Sequence, residues 1–304
     1  MDKFCPGREI ANTCPMEQVP PRRSGCNLDL PICGGYLPVQ MVPFASRTDF
    51  KARRPKSVSS SARSSEPPHA FRQFYDALFS ALGPQHWWPG RTPFEIIIGA
   101  ILTQNTSWAN VERAIANLRK AKLLTPAAME KVSGPRLAKL VRPSGYFRQK
   151  ARKLKAFMRF LRREYGGSLS RMFRTPVDEL REKLLAVHGI GPETADSILL
   201  YAGQHPAFVV DAYTRRILER HGHAAPRDSY EQIRARFESA LPRDAHLYNE
   251  YHALIVQTGK HWCRTKNPLC DECPLAPFLP DRFRTGAAPE TGFFAEPVAS
   301  RGVR

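Results

Sequence analysis

The segment Leu184 to Asp196 reads Leu-Leu-Ala-Val-His-Gly-Ile-Gly-Pro-Glu-Thr-Ala-Asp, a spacing suited to holding phosphate. Gly189 and Gly191 permit a tight turn and close approach of backbone to a ligand. Pro192 opens a helix whose first N–H groups face outward, toward an anion. With an apolar helix ending at His188 before it, the segment has the helix-hairpin-helix pattern of DNA-binding proteins, and His188, Gly189, Ile190 and Gly191 are expected at the nucleic acid. Lys139 to Arg163 points the same way, with ten Lys or Arg residues and no acid. Leu154, Phe157, Met158 and Leu161 share one helical stripe there. The charges, Arg148 and Lys150 among them, are therefore expected on the other face, against a phosphate backbone whose counterions they would release.

Three further groups have usable chemistry. Asp211, in Phe208-Val209-Val210-Asp211-Ala212-Tyr213, is eighteen residues beyond Glu193 and is a good helix N-cap. Trp87-Trp88-Pro89 and Thr103-Gln104-Asn105-Thr106-Ser107-Trp108 offer aromatic faces that either pack a core or stack on a base. Cys263, Cys270 and Cys273 are separated by six and two residues, a metal-ligand style of spacing. Seven cysteines is an odd count, which favours thiols or metal ligands over a disulfide framework. Cys5, Cys14, Cys26 and Cys33 lack a Cys-x-x-Cys pair, which disfavours zinc among them.

The elements that must position these groups read as helix after helix. Phe71, Tyr75, Leu78 and Leu82 repeat at helical spacing and stop at Gly83-Pro84. Thr92-Pro93-Phe94-Glu95 is a capping box opening the apolar run Ile96 to Leu102, and Thr175-Pro176-Val177-Asp178 resembles it. The expectation is an all-α fold of two packed lobes. A disordered basic extension is expected over 1–68, a helical domain over 69–262, a cysteine loop over 263–280 and a loose tail over 284–304.

Composition bounds the partners. With 46 Lys plus Arg against 28 Asp plus Glu, the net charge is +18, which suits nucleic acid better than a small neutral substrate. No apolar run reaches the roughly 18 residues that span a bilayer, and the first residues lack the pattern of a signal peptide. A cytoplasmic monomer without membrane association is expected.

Taken together, the hairpin, the Val-Asp eighteen residues on and the cysteine loop make about Phe71 to Pro280 similar to the helix-hairpin-helix DNA glycosylases of the endonuclease III superfamily. The resemblance implies a two-lobed helical fold and a catalytic carboxylate at Asp211. Bifunctional members hold a Lys at the position of Glu193, and its amine forms a Schiff base with the sugar. A carboxylate cannot do so, which implies a monofunctional enzyme. Glu193 itself either takes part in the chemistry or simply suits a helix start.

Trp87-Trp88 and the Leu-Thr-Gln-Asn-Thr run look like the 3-methyladenine DNA glycosylase branch. This implies a base pocket drawn from Trp87, Trp88 and Trp108, with Gln104 filling the hole left by a flipped base. Cys263, Cys270 and Cys273 match three ligands of the family's [4Fe-4S] loop, while Leu279 occupies the fourth position. A cluster completed by another ligand, a lost cluster, and zinc on the three cysteines with His261 all remain open.

The implied activity is hydrolysis of the N-glycosidic bond of a flipped damaged base in double-stranded DNA, an alkylated purine such as 3-methyladenine. The alternatives are an endonuclease III-like glycosylase and abasic-site lyase acting on oxidised pyrimidines, and a non-catalytic protein that binds lesions.

Overall fold

The computed structural model describes residues 67–85, 87 and 90–281. The expected extension with its four cysteines, the expected tail, and Trp88 lie outside the described residues, apart from 67 and 68. Among the described residues there are twelve α-helices and no strand.

The chain opens with α1 (Pro67–Leu82), which stops where Gly83 takes a φ of +67°. α2 (Pro93–Leu102), α3 (Trp108–Lys120), α4 (Pro126–Lys131) and α5 (Gly134–Leu140) follow, then a 3₁₀ turn (Arg142–Ser144) and the long α6 (Phe147–Tyr165). α7 (Leu169–Met172) and α8 (Val177–Leu185) lead into the hairpin, and α9 (Pro192–Ser197) runs on into a π-helical turn (Ile198–Ala202). The last helices are α10 (Ala212–Arg220), α11 (Tyr230–Ala240) and α12 (Ala245–His261), with a short 3₁₀ turn at Ala276–Phe278.

Two hydrophobic cores define the lobes. The first gathers Phe94, Ile97, Ile101, Leu118, Leu154, Phe157, Leu161, Leu184 and Ile198 from α2 to the π-helical turn. The second gathers Phe71, Phe74 and Leu78 of α1 with Phe208, Phe237, Tyr248, Tyr251 and Leu254 from the other end of the chain. Each fully buried side chain of this kind contributes about 1.5–3 kcal/mol. The second lobe is thus discontinuous in sequence, its first helix separated from its others by the whole first lobe. The stretch 207–210 is buried and outside any helix, and it delivers the chain to α10.

Two helix starts differ from expectation. Thr92 caps α2 by accepting from the Glu95 N–H at 3.2 Å, but the Glu95 carboxylate does not complete a capping box. It pairs instead with Arg119 of α3 at 2.8 Å, the partner that a buried charge requires. Thr175 caps nothing: its hydroxyl donates to Tyr165, and Pro176 stands at the start of α8.

Candidate active site

Asp211 begins α10 in extended geometry, φ −95° and ψ −176°. One carboxylate oxygen, Oδ1, accepts from the Thr214 N–H at 2.7 Å and from the Thr214 hydroxyl at 2.9 Å. The cap therefore uses one oxygen and leaves Oδ2 for other partners. Oδ2 lies 3.6 Å from Nε2 of His252 on α12, and the Asp211 side chain is only 14% exposed. The helices that carry these groups meet closely at Gly259, where an added Cβ would lie 2.3 Å from the Tyr213 ring.

Behind Asp211, the Tyr201 hydroxyl is 2.5 Å from Nδ1 of His252. Tyr201 belongs to the π turn, an irregularity that frequently marks functional sites. Burial holds His252 below its usual pKa against the pull of Asp211, and burial holds the Tyr201 phenol well above its own. A neutral phenol donating to Nδ1 assigns the imidazole proton to Nε2, facing Asp211 Oδ2.

Glu193 comes from the other lobe, in the first turn of α9. Its pKa is pushed up to about 7, first by burial of the carboxyl and second by the Asp211 charge. By accessible surface Glu193 is an exposed residue, so solvent screening moderates this rise. Lys260, near the end of α12, has its pKa lowered by burial and raised in part by Asp211. Its ammonium stands 5.4 Å above the half-buried ring of Trp87. Asp211, Glu193, His252, Tyr201 and Lys260 thus share one junction between the lobes. Trp108 is positioned elsewhere: it packs partly on the first core and its indole N–H donates to Glu112 on the same helix.

The hairpin edge follows from three turns tied together. Gly189 adopts φ +83°, a conformation strained for any other residue, and an added Cβ there would meet the Lys153 side chain at 2.4 Å and force it to shift. Gln104 donates to the Gly189 carbonyl at 3.0 Å and to the Thr194 hydroxyl at 2.9 Å, and accepts from Lys153. It is a strut to the hairpin, and reaching into a base stack would mean exchanging those bonds. His188 is exposed. Ile190 corrects an expectation: its side chain is 4% exposed, and its N–H donates to Val187, so it faces the core and not a ligand.

Lys150 corrects another. It is 2% exposed, and its ammonium donates to the carbonyls of Leu102 and Ser144, which close α2 and the 3₁₀ turn. Burial and then Lys153 push its pKa down to about 8. Lys150 cannot reach a phosphate; it clamps two turns. Arg148, two positions earlier, is exposed. The clamp also fixes Tyr146, which sequence reasoning missed: a left-handed residue at φ 40° and 66% exposed, it is the more exposed of two large apolar side chains found at the described surface. A strained, outward-facing aromatic beside basic residues is a surface for stacking. Gly145 before it, also left-handed, is the one local sign of that turn.

Cys263, Cys270 and Cys273 line one apolar space together with Leu275 and Leu279. Cys263 accepts from Arg220 at 3.1 Å, and burial raises the thiol pKa of Cys270 and that of Cys273, the latter to about 12. The ring nitrogens of His221, which also lines the space, are engaged by the backbone of Ile217 and Leu275. The fourth position is thus a buried leucine, and this donor set does not fit a four-thiolate cluster. Among the described residues, no group of three or more metal-binding side chains is arranged around a common point.

Comparison with known proteins agrees with this geometry. Residues 98–243 match the model of the HhH-GPD superfamily base excision DNA repair protein. The chain is 46% identical over 208 residues to a candidate DNA repair glycosylase of Methanocaldococcus jannaschii, covering 68% of this chain and 94% of the relative. It is 34% identical over 183 residues to endonuclease III of Thermotoga maritima, covering 60% and 80%. Among solved structures, a non-covalent endonuclease III–DNA complex superposes with TM-score 0.62 at 25% identity, covering 71% of this chain and 98% of that one. The H. pylori 3-methyladenine DNA glycosylase bound to 1,N6-ethenoadenine gives 0.56 at 27% identity, covering 64% and 97%.

Proposed function

The chain belongs to the HhH-GPD superfamily of base excision DNA repair proteins, and on that premise we propose a monofunctional DNA N-glycosylase that acts on alkylated purines in duplex DNA. The observation that carries this is Asp211, with one oxygen committed to its helix cap and the other turned into the lobe junction opposite Glu193. The hairpin and the Gln104 and Tyr146 turns form the edge for the duplex, and the flipped base enters beside Trp87.

In the reaction the C1′–N bond breaks with its electron pair leaving on the base, a neutral base taking up a proton from solvent water as it departs, and positive charge develops on the sugar. Asp211 Oδ2 stabilises that charge and takes a proton from the water whose oxygen bonds to C1′. Tyr201 and His252 hold the carboxylate's orientation from behind. Because Lys260 stands over the Trp87 ring, a cationic base meets a cation already in place, so neutral adducts are the better fit.

Duplexes with single lesions, assayed with and without alkali, test the reading. Strand cleavage only after alkali supports it, binding without base release supports a lesion sensor, and cleavage without alkali supports a lyase. Lys260 favours that last reading, because an amine of lowered pKa near Asp211 is the kind of group that forms an imine. Borohydride is expected to trap little enzyme on DNA. Strong trapping that disappears in Lys260→Arg would replace the monofunctional assignment.

A further inference from the structure

Away from the hairpin, α5 and α6 enclose an open groove whose floor includes Ala138, Phe147 and Ala151. Six cations rim it: Lys139, Arg142, Arg148, Arg152, Lys155 and Arg159. Lys155 is committed to the carbonyls of Met129 and Glu130, at 3.1 and 2.7 Å. The other five are exposed and have no carboxylate partner among the described residues. Such a row normally mixes signs, and here uncompensated repulsion is left for a polyanion to relieve.

The groove differs from the duplex edge. On α6, Lys153 points to the hairpin and Gln104, whereas Arg148, Arg152 and Arg159 lie about 100–140° around the helix from it, at about 100° per residue. A duplex seated on the hairpin and the Tyr146 turn therefore reaches the Arg148 end of this row at most, and Arg152 and Arg159, one and three turns further along α6, are left uncovered. The row extends about 16 Å along α6, and its guanidinium groups match phosphate oxygens in pairs. A half-buried Phe147 in the floor supplies a ring over which the Arg148 guanidinium stands at 5.8 Å, so a base stacks there by displacing or sandwiching that cation. A duplex offers its phosphate ridges and would leave that floor bare, while an unpaired strand fills it with bases and neutralises the rim.

We propose that the α5–α6 groove binds a single strand of nucleic acid, separately from the lesion duplex. The assignment stands whether or not the glycosylase reading does. The probe is a fluorescent oligothymidylate of about 15 nucleotides, followed by anisotropy on the full chain over a salt series. Arg152→Glu with Arg159→Glu, both exposed positions, is expected to weaken binding at least tenfold and to reduce the salt slope by about 1.4, for two lost phosphate contacts. Base release from a short lesion duplex should stay within about twofold. Phe147→Leu should weaken the oligothymidylate several-fold and leave an abasic strand of equal length unaffected.

Equal binding by wild type and the double variant would overturn the proposal. So would an equal loss on short duplex DNA, which would assign the row to the duplex site. Displacement by polyglutamate as effective as by the strand itself would assign the groove to an acidic protein.

Discussion

Asp211 combines two duties that a single substitution can separate. Asp211→Asn keeps an oxygen for the Thr214 N–H, so thermal stability and binding to an abasic-site duplex should hold while single-turnover base release falls by about 10²–10⁴. Near-normal release in that variant would falsify the assignment. Tyr201→Phe is expected to slow release about tenfold with little change in abasic-site affinity, because it frees His252 to turn without touching the DNA edge. Glu193 carries a pH dependence. Its folded pKa of about 7 lies above the ordinary 4.5, so the folded state holds its proton more tightly and the protein loses stability as pH rises from about 4.5 to 7. Urea titrations at several pH values should show Glu193→Gln gaining on wild type over that window; parallel curves would refute the shift. At this scale the sequence was partly legible. The Asp211 cap and the Glu193 position could be read locally, whereas the Tyr201–His252 contact joins residues 51 apart, and nothing local marks it. Lys150 and Arg148 read alike as basic residues of one helix, yet one is interior and the other exposed.

Among the elements, the hairpin is held to the second lobe by buried charge. Asp196 of α9, fully buried, accepts from Arg181 of α8 at 2.7 and 3.1 Å and from the Tyr230 hydroxyl of α11 at 2.8 Å. Tyr230 in turn accepts from the Val210 N–H, one residue before Asp211. Burial opposes the Arg181 charge, yet its bonds to Asp196 and Glu231 hold its pKa above the ordinary value. Asp196→Ala is therefore expected to cost about 3–5 kcal/mol by urea unfolding, since it leaves a buried guanidinium short of a partner. Arg72→Ala, which breaks a pair with both side chains 56% exposed, should cost under about 1 kcal/mol. Comparable losses would mean that the network does not anchor the hairpin. Helix ends marked by Gly or Pro, such as Gly83, Pro93 and Pro192, were readable because those residues act through their own backbone. Glu95 and Thr175 were misread because tertiary partners outcompeted the local bond.

For the whole molecule, the cysteine loop sets the metal content to be expected. Its spacing is that of a ligand loop, but a buried Leu279 takes the fourth place, so protein lacking residues 1–66 and purified without oxygen should contain far less than four irons per chain. Iron and sulfide assays decide this, and a stable stoichiometric cluster would show that another ligand completes the site. The helical class and the tendency to two lobes were visible in the sequence. Which helices share a lobe was not, because that depends on contacts between α1 and helices more than 150 residues away.

That interleaving sets an order of events during synthesis. α2 to α9 emerge as a contiguous stretch and can close their core while the ribosome is still working, whereas α1, made earlier, must wait for α11 and α12 before its apolar face has a partner. Asp211, Tyr201 and His252 meet only when α12 arrives, so the reactive junction is completed after the rest of the first lobe is in place. Nascent chains arrested before Ala245 should accordingly show protease resistance over 93–197 and none over 67–82, and the ability to cleave a glycosidic bond is acquired only with α12, the last of the described α-helices.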